Sequence, residues 1–264
     1  MHTAKHLDSV SRRFSAGAAA YARHAPAQRE AAAYLRSLIP DQAIRHILEP
    51  GCGTGHFTRL LRARWPQAQL DAFDAAPGMI AVARETWPGD ERVRWQVADA
   101  TAAGDEPAYD LVASNCALHW ALDLPAALRR LAARLKPGGL FAASLMLRGT
   151  LAELHEARLI AAPGQPPRAR LPSRELTETA LWQAGLTVTH AEEQTIRQTF
   201  PDTRSLLRQL HEHGVTGGLI SQGPRALTRG ELARLCEVYD AGYPAPEGGV
   251  SATYRVGYFI AERL

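Results

Sequence analysis

The segment Ile47-Leu-Glu-Pro-Gly-Cys-Gly-Thr-Gly-His-Phe-Thr58 constrains this chain more than any other. An apolar run (Ile44, Ile47, Leu48) ends in an acidic residue. Gly51, Gly53 and Gly55 then alternate with other residues, and a helical pattern opens at Phe57. A strand that breaks into a glycine turn and starts a helix is a place for a small molecule. Glycines adopt positive φ and let backbone approach a ligand closely, and the first helical turn adds free N–H groups. The spacing is G-x-G-x-G, whereas a dinucleotide fold carries its pyrophosphate on G-x-G-x-x-G. Glu49 stands two residues before the first glycine. A carboxylate there repels a pyrophosphate and suits a cationic group. Three glycines in five positions are more than a plain strand-to-helix turn requires.

The flanking pattern predicts the fold class. Short apolar strands are expected at Arg45–Leu48, Leu70–Phe73, Val93–Val97, Leu111–Ser114 and Leu140–Ser144, separated by helical patterns at Phe57–Trp65, Gly78–Glu85 and Pro125–Leu135. Such alternation implies an α/β domain, a parallel sheet covered by helices on both faces. Lys136-Pro-Gly-Gly139 reads as a helix stop. Before the sheet, Pro26 interrupts an N-terminal arm and a helix runs from Ala27 to Leu38, ended by Pro40. After the sheet, Ala161–Pro167 is a loop, and Ser173 caps a helix with Leu176, Ala180, Leu181 and Ala184 on one face and Gly185 as its stop. Leu186–Phe200 reads as a strand and Pro201–Tyr243 as a helical stretch. Tyr254, Val256, Tyr258 and Ile260 recur at period two in a last strand.

Composition removes several function classes. A chain of 264 residues, 46% apolar, fits one domain with an insertion. No apolar run approaches the length of a spanning helix and the N-terminus has no signal-peptide core, so a cytoplasmic protein is expected. Cys52, Cys116 and Cys236 lack paired spacing, which argues against a disulfide framework or zinc site. His211 and His213 point to different helix faces, so no metal is expected from them. A net charge of +3 is too small to imply nucleic acid. Arginines recur in the C-terminal half, which either meets an acidic partner or reflects surface composition.

In a parallel sheet, ligands bind at the carboxyl ends of the strands, and four such ends carry suitable groups. Glu49 and the glycine loop suit the amino group of S-adenosylmethionine. Asp74, past the second strand, can accept both hydroxyls of a ribose, and Met79 can cover a purine face. Asp99, past the third strand, can accept from an exocyclic amine, while Ala100 offers an N–H to the ring. Ser114-Asn-Cys-Ala-Leu-His-Trp120 faces the reactive end. Singly, Asp74 or Asp99 could equally cap a helix and Met79 could equally be core.

Taken in this order, residues 44–144 resemble the class I S-adenosylmethionine-dependent methyltransferases. That resemblance implies a Rossmann-like, seven-stranded, mostly parallel sheet, with a helical cap before it and a helical lid inserted before the last strand. It assigns Glu49, Gly51 and Gly53 to the methionine part of the cofactor, Asp74 to the ribose and Asp99 to the adenine, with Cys52, Gly55, Ala75, Met79, Ala100, Ser114 and Asn115 completing the cofactor set. The chain ends narrow the resemblance. Val10-Ser-Arg-Arg-Phe-Ser-Ala-Gly-Ala-Ala-Ala-Tyr21 is similar to the N-terminal cap of the malonyl-acyl carrier protein O-methyltransferases of biotin biosynthesis, in which a Phe and a Tyr close over the cofactor. Phe14 and Tyr21 are the matching positions, although an amphipathic helix packed on the sheet would also place a Phe there. Gly149–Leu154, Leu206–Leu210 through Gly214, Leu227–Leu232 and Ala252–Gly257 match the same family in order. Departures fall on the presumed substrate side. His119 stands where the family usually has Gln, His211 where it has Lys, Arg158 where a Trp is common, and the run after Gly214 is Val-Thr-Gly-Gly.

The division expected from this resemblance is a cap over residues 1–40, a cofactor-binding core over 41–200, a lid over 201–245 and a closing strand within 246–264. The expected reaction moves the methyl group of S-adenosylmethionine to the free carboxylate of malonyl-acyl carrier protein or malonyl-coenzyme A, on a monomeric, cytoplasmic enzyme that uses no metal and binds neither nucleic acid nor membrane. A carboxylate is already ionised near pH 7, so no general base is expected. Candidates for positioning the substrate are Tyr21, His119, Trp120, Arg148, Arg204 and Arg208. Two alternatives remain open: a carboxyl methyltransferase acting on a free small acid, and a non-catalytic protein that binds the same cofactor.

Overall fold

The computed structural model describes residues 2–99, 108–164, 171–214 and 225–264, with side chains from Val10 onward. Ala100, part of the loop Ala161–Pro167 and the run Val215–Gly218 therefore lie outside the described residues.

Two helices, α1 (His2–Arg23) and α2 (Pro26–Leu38), precede the sheet. Pro26 starts α2, where its missing N–H costs nothing. The core then alternates β1 (His46–Pro50), α3 (His56–Arg64), β2 (Gln69–Asp74), α4 (Pro77–Thr86), β3 (Val93–Val97), β4 (Tyr109–Asn115), α5 (Leu124–Ala133) and β5 (Leu135–Met146). Beyond it come α6 (Ala152–Ala161), α7 (Arg174–Gln183), β6 (Leu186–Phe200), α8 (Thr203–Glu212), α9 (Arg229–Gly242) and β7 (Val250–Arg263). The sheet order is β3-β2-β1-β4-β5-β7-β6, with β7 alone running antiparallel to both neighbours. This is the seven-stranded, mostly parallel sheet expected from the sequence.

Both faces are covered, and alternate residues of one strand feed opposite sides. Tyr258 and Ile260 of β7 pack into the layer with Leu35 of α2 and Leu206 of α8, while Phe259 and Ala261 pack with Leu131 of α5 and Leu181 of α7. The order reverses between β1 and β4, and that switch point opens a crevice at the carboxyl ends of the strands.

Some details differ from the sequence expectation. Lys136-Pro-Gly-Gly139 does not end a helix. Helix α5 has already stopped at Ala133, and these residues lie in β5, where the pairing with β4 shifts register between Tyr109 and Leu111. Leu176 does not share the packed face of α7, being 58% exposed, and Thr177 takes its place beside Ala180 and Leu181. Helix α6 and a short 3-10 turn at Leu118–Trp120 have no counterpart in the sequence expectation.

Candidate active site

The glycine loop after β1 is bound to the end of β2. Gly51 and Cys52 donate their N–H groups to the Phe73 carbonyl (2.8 and 2.9 Å), and Gly53 N donates to Asp74 Oδ2 (2.9 Å). The other Asp74 oxygen accepts from Ala76 N at 2.8 Å, opening α4. Gly51 must be glycine on two counts. Its φ is +71°, and a Cβ there would sit 2.2 Å from the Cβ of Ala117. Across the switch point, Asn115 at the end of β4 donates to the Gln28 carbonyl (3.0 Å) and accepts from Ser144 (2.7 Å). Cys116 follows with a left-handed φ of 49°. A non-glycine residue in that conformation is strained, and here two acceptors on Ser144 hold its N–H.

Three adjoining cavities open here. The largest, about 370 Å³, is lined by Phe14, Tyr21, Gly51, Gly53, Asp74, Ala75, Met79, Asp99, Asn115 and Trp120. A small one of about 40 Å³ lies beside it against Glu49, Cys52, Gly53 and Asn115. The third, about 240 Å³ and mostly apolar, runs between α2, α6, α8 and α9. Phe14, Tyr21, Cys116 and Trp120 wall both large cavities. Helix α1 supplies two of these four. It is seated by close backbone approach, since a Cβ on Gly78 of α4 would lie 2.4 Å from the Ser15 carbonyl.

The electrostatics of the small cavity are specific. Glu49 is 1% exposed, and its Oε2 has no hydrogen-bond partner among the described residues. Burial pushes its carboxyl up to about 8, with the Thr58 hydroxyl lowering it and the Asp74 charge raising it. Burial also raises Asp74 above the usual carboxylate range, against the two N–H groups it accepts. On the apolar side, burial holds the His119 imidazole down at about 3 and the His213 imidazole at about 4.

The two buried imidazoles carry a consequence for stability. Each stays neutral in the folded protein but takes a proton in the unfolded chain below its ordinary value of 6.5. Their contribution is complete above pH 6.5 and is lost as pH falls toward about 4, at up to about 1.4 kcal/mol per pH unit for each ring. Urea melts at pH 7.0 and 5.0 should therefore show a larger acid-side loss for the wild type than for a His119→Gln, His213→Gln double variant. Equal losses would contradict the neutral assignment.

The structure gathers most of the residues singled out from sequence. Phe14, Tyr21, Gly51, Gly53, Asp74, Ala75, Met79, Asp99 and Asn115 line the largest cavity, and Glu49 and Cys52 line the small one. His119 and Trp120 line the apolar cavity. Ser114 and Gly55 line none of the three. Ser114 Oγ donates to the Pro50 carbonyl (2.8 Å), tying β4 to β1, and Gly55 precedes α3 with Trp95 against it. Arg148, Arg204 and Arg208 are exposed and line none of the three cavities. The arginine on the wall of the apolar cavity is Arg158, on α6. His155, Gln198 and His213 also line it and were not singled out for a site role from sequence.

A strand–glycine loop–helix at the switch point, with a buried acid beneath the loop and a second acid at the end of β2, defines a class I methyltransferase site. Residues 47–139 match a methyltransferase domain family. The fold is shared with the YcgJ protein of Bacillus subtilis (TM-score 0.64, 15% identity, 89% of this chain and 98% of that one). It is also shared with a geranyl diphosphate C-methyltransferase of Streptomyces coelicolor solved with S-adenosyl-L-homocysteine (TM-score 0.54, 15% identity, 88% and 76%). Over 256 residues the chain is 32% identical to a malonyl-[acyl-carrier protein] O-methyltransferase of Methylococcus capsulatus, covering 95% of this chain and 91% of the relative. The chain belongs to the malonyl-[acyl-carrier protein] O-methyltransferase family.

Proposed function

We propose that the chain methylates the free carboxylate of malonyl-acyl carrier protein, giving the malonyl methyl ester that primes pimeloyl synthesis for biotin. The observation that carries this is the pair of large cavities meeting across one aromatic wall, Phe14, Tyr21 and Trp120. One cavity is polar-ended and the other apolar, as a methyl donor and a short acyl chain require.

The site fits the cofactor by a physical test. Glu49 Oε2 is buried without a partner, and a cationic amino group placed in the small cavity would satisfy it. Asp74 already accepts two N–H groups but retains lone pairs for hydroxyls, since a carboxylate offers about four acceptor sites. Asp99 borders the same cavity at the end of β3. When bound, S-adenosylmethionine supplies an electrophilic methyl group whose sulfur keeps the bonding electron pair as a carboxylate oxygen forms the new bond. The chain's residues do the rest. Phe14, Tyr21 and Trp120 exclude water from the junction and fix the line of approach, the means by which proximity and desolvation accelerate a displacement. The nucleophile is an anion at neutral pH, so no side chain is asked to remove a proton.

In this reading α1 and α2 form the cap and residues 201–245 the lid, because α1 supplies Phe14 and Tyr21 to the shared wall while α8 and α9 close the apolar cavity. The test is a comparison of initial rates on malonyl-acyl carrier protein, malonyl-coenzyme A and free malonate or aconitate. Highest kcat/KM on the carrier protein, falling as salt rises, is expected. A higher value on a free acid, insensitive to salt, would replace the substrate with a small molecule and leave the cofactor assignment standing.

A further inference from the structure

The wall between the two large cavities ends in an imidazole on each side. His119 lies against Trp120 (5.3 Å between ring centroids), Trp120 against Phe14 (5.3 Å), Phe14 against Tyr21 (6.3 Å), and Tyr21 against His213 (5.8 Å). The three central rings wall both cavities, whereas His119 and His213 line the apolar one.

Hydrogen bonding fixes the state of His119. Its Nδ1 accepts from Met146 N at 3.3 Å. An accepting Nδ1 carries no proton, so in the neutral ring the proton resides on Nε2, a donor. His213 is 4% exposed, and its Nε2 finds no hydrogen-bond partner among the described residues. A buried polar atom without a partner is costly, and a ligand oxygen in the cavity would remove that cost.

We infer that His119 and His213, rather than an arginine, hold the malonyl group in the apolar cavity as neutral hydrogen-bond donors, one from each end of the aromatic wall. This deepens the malonyl reading above and rests on it. The placement of the arginines supports it. Arg148, Arg204 and Arg208 face solvent. Arg158 lies on α6 in the field of Glu231 on α9, and neither α6 nor α9 lines the cofactor cavity. Arg158 is thereby left to the thioester side of the substrate. The chemistry favours neutral donors. A guanidinium fork would pair with both carboxylate oxygens and hold their electron density. A neutral imidazole N–H positions an oxygen without a full positive charge beside it, and that oxygen keeps a lone pair for the methyl group. Burial, which keeps both rings uncharged, preserves this mode through the neutral range.

Four variants test it, with malonyl- and acetyl-acyl carrier protein as probes. His119→Leu and His213→Leu remove the donors. His119→Gln and His213→Gln keep an amide with one acceptor and one donor. Each Leu variant should lose about tenfold or more in kcat/KM on malonyl-carrier protein and lose the preference for binding malonyl- over acetyl-carrier protein. Affinity for S-adenosylmethionine, measured in parallel to establish folding, should hold within about twofold. The Gln variants should recover most of the rate. If the Leu variants keep both rate and preference while wild type methylates the carrier substrate, the inference is overturned and the malonyl reading survives. It is overturned equally if Arg158→Ala abolishes the preference and the Leu variants do not. If wild type leaves malonyl-carrier protein unmethylated, the reading fails first and the inference with it. Should a Leu variant at His213 not fold, the His119 pair decides alone.

Discussion

Glu49→Gln should weaken S-adenosylmethionine binding by roughly 10- to 150-fold, the range for losing a hydrogen bond to a charged group, while making the ligand-free protein more stable at pH 8. The two effects have one cause. Glu49 is buried beneath the glycine loop with an unpartnered oxygen, and burial holds its carboxyl at about 8. In the unfolded chain the group ionises near 4.5. Between these values the folded protein retains a proton that the unfolded chain has released, so this group costs stability increasingly as pH rises through that window. Glutamine abolishes the cost, and a domain of this size gains roughly 2–4 °C in Tm for each kcal/mol recovered. A bound ammonium would reverse the situation by ionising Glu49, and the released proton would tie affinity to pH. The wild-type Kd should therefore tighten from pH 6 toward 8 by up to about tenfold per unit, and the variant should show a flat profile. Calorimetric titration at three pH values checks the affinities, and thermal melts of the ligand-free proteins at pH 8 check the stability. An unchanged Kd in Glu49→Gln would remove the ammonium from this position.

Asp74→Ala should cost about 1–3 kcal/mol of cofactor affinity together with a measurable loss of stability in the free protein. The structure explains the pairing of effects. Asp74 is the last residue of β2, and its two oxygens hold Gly53 N and Ala76 N. It thus ties the loop to the start of α4 before any ribose arrives. Asp74→Asn separates the two roles, because its carbonyl oxygen retains one of those N–H groups while the negative charge is lost. Asn is expected to restore most of the Tm and only part of the affinity. If both variants bind S-adenosylmethionine as wild type does, Asp74 serves the loop alone.

The cofactor half was legible in the sequence because its signals are local. Strands buried on both faces, such as Ile47–Leu48 and Leu111–Ser114, read as short apolar runs, and the acids follow them at the strand ends. The substrate half was less legible. The N-cap of helix α6 is Leu151, a non-glycine residue in left-handed conformation (φ 54°) that gives no side-chain cap. It lacks the Ser, Thr, Asp or Asn that announces a helix start, and Arg158 was missed as a wall residue with it. The outward course of Arg204 and Arg208 was recoverable. Thr203, Leu206 and Leu210 form the buried stripe of α8, which at 3.6 residues per turn leaves Arg204 and Arg208 on the opposite face. The hydrogen bond that sets the state of His119 joins it to Met146, on the neighbouring strand β5, and no spacing rule contains it.

The most direct measurement is intact-mass spectrometry of malonyl-acyl carrier protein incubated with the purified chain and S-adenosylmethionine, beside acetyl-acyl carrier protein in the same buffer. The malonyl form should gain one methyl group, removed again by ester hydrolysis, and the acetyl form none. An unmodified malonyl-carrier protein, in a sample where S-adenosylmethionine binding is demonstrated, would contradict it.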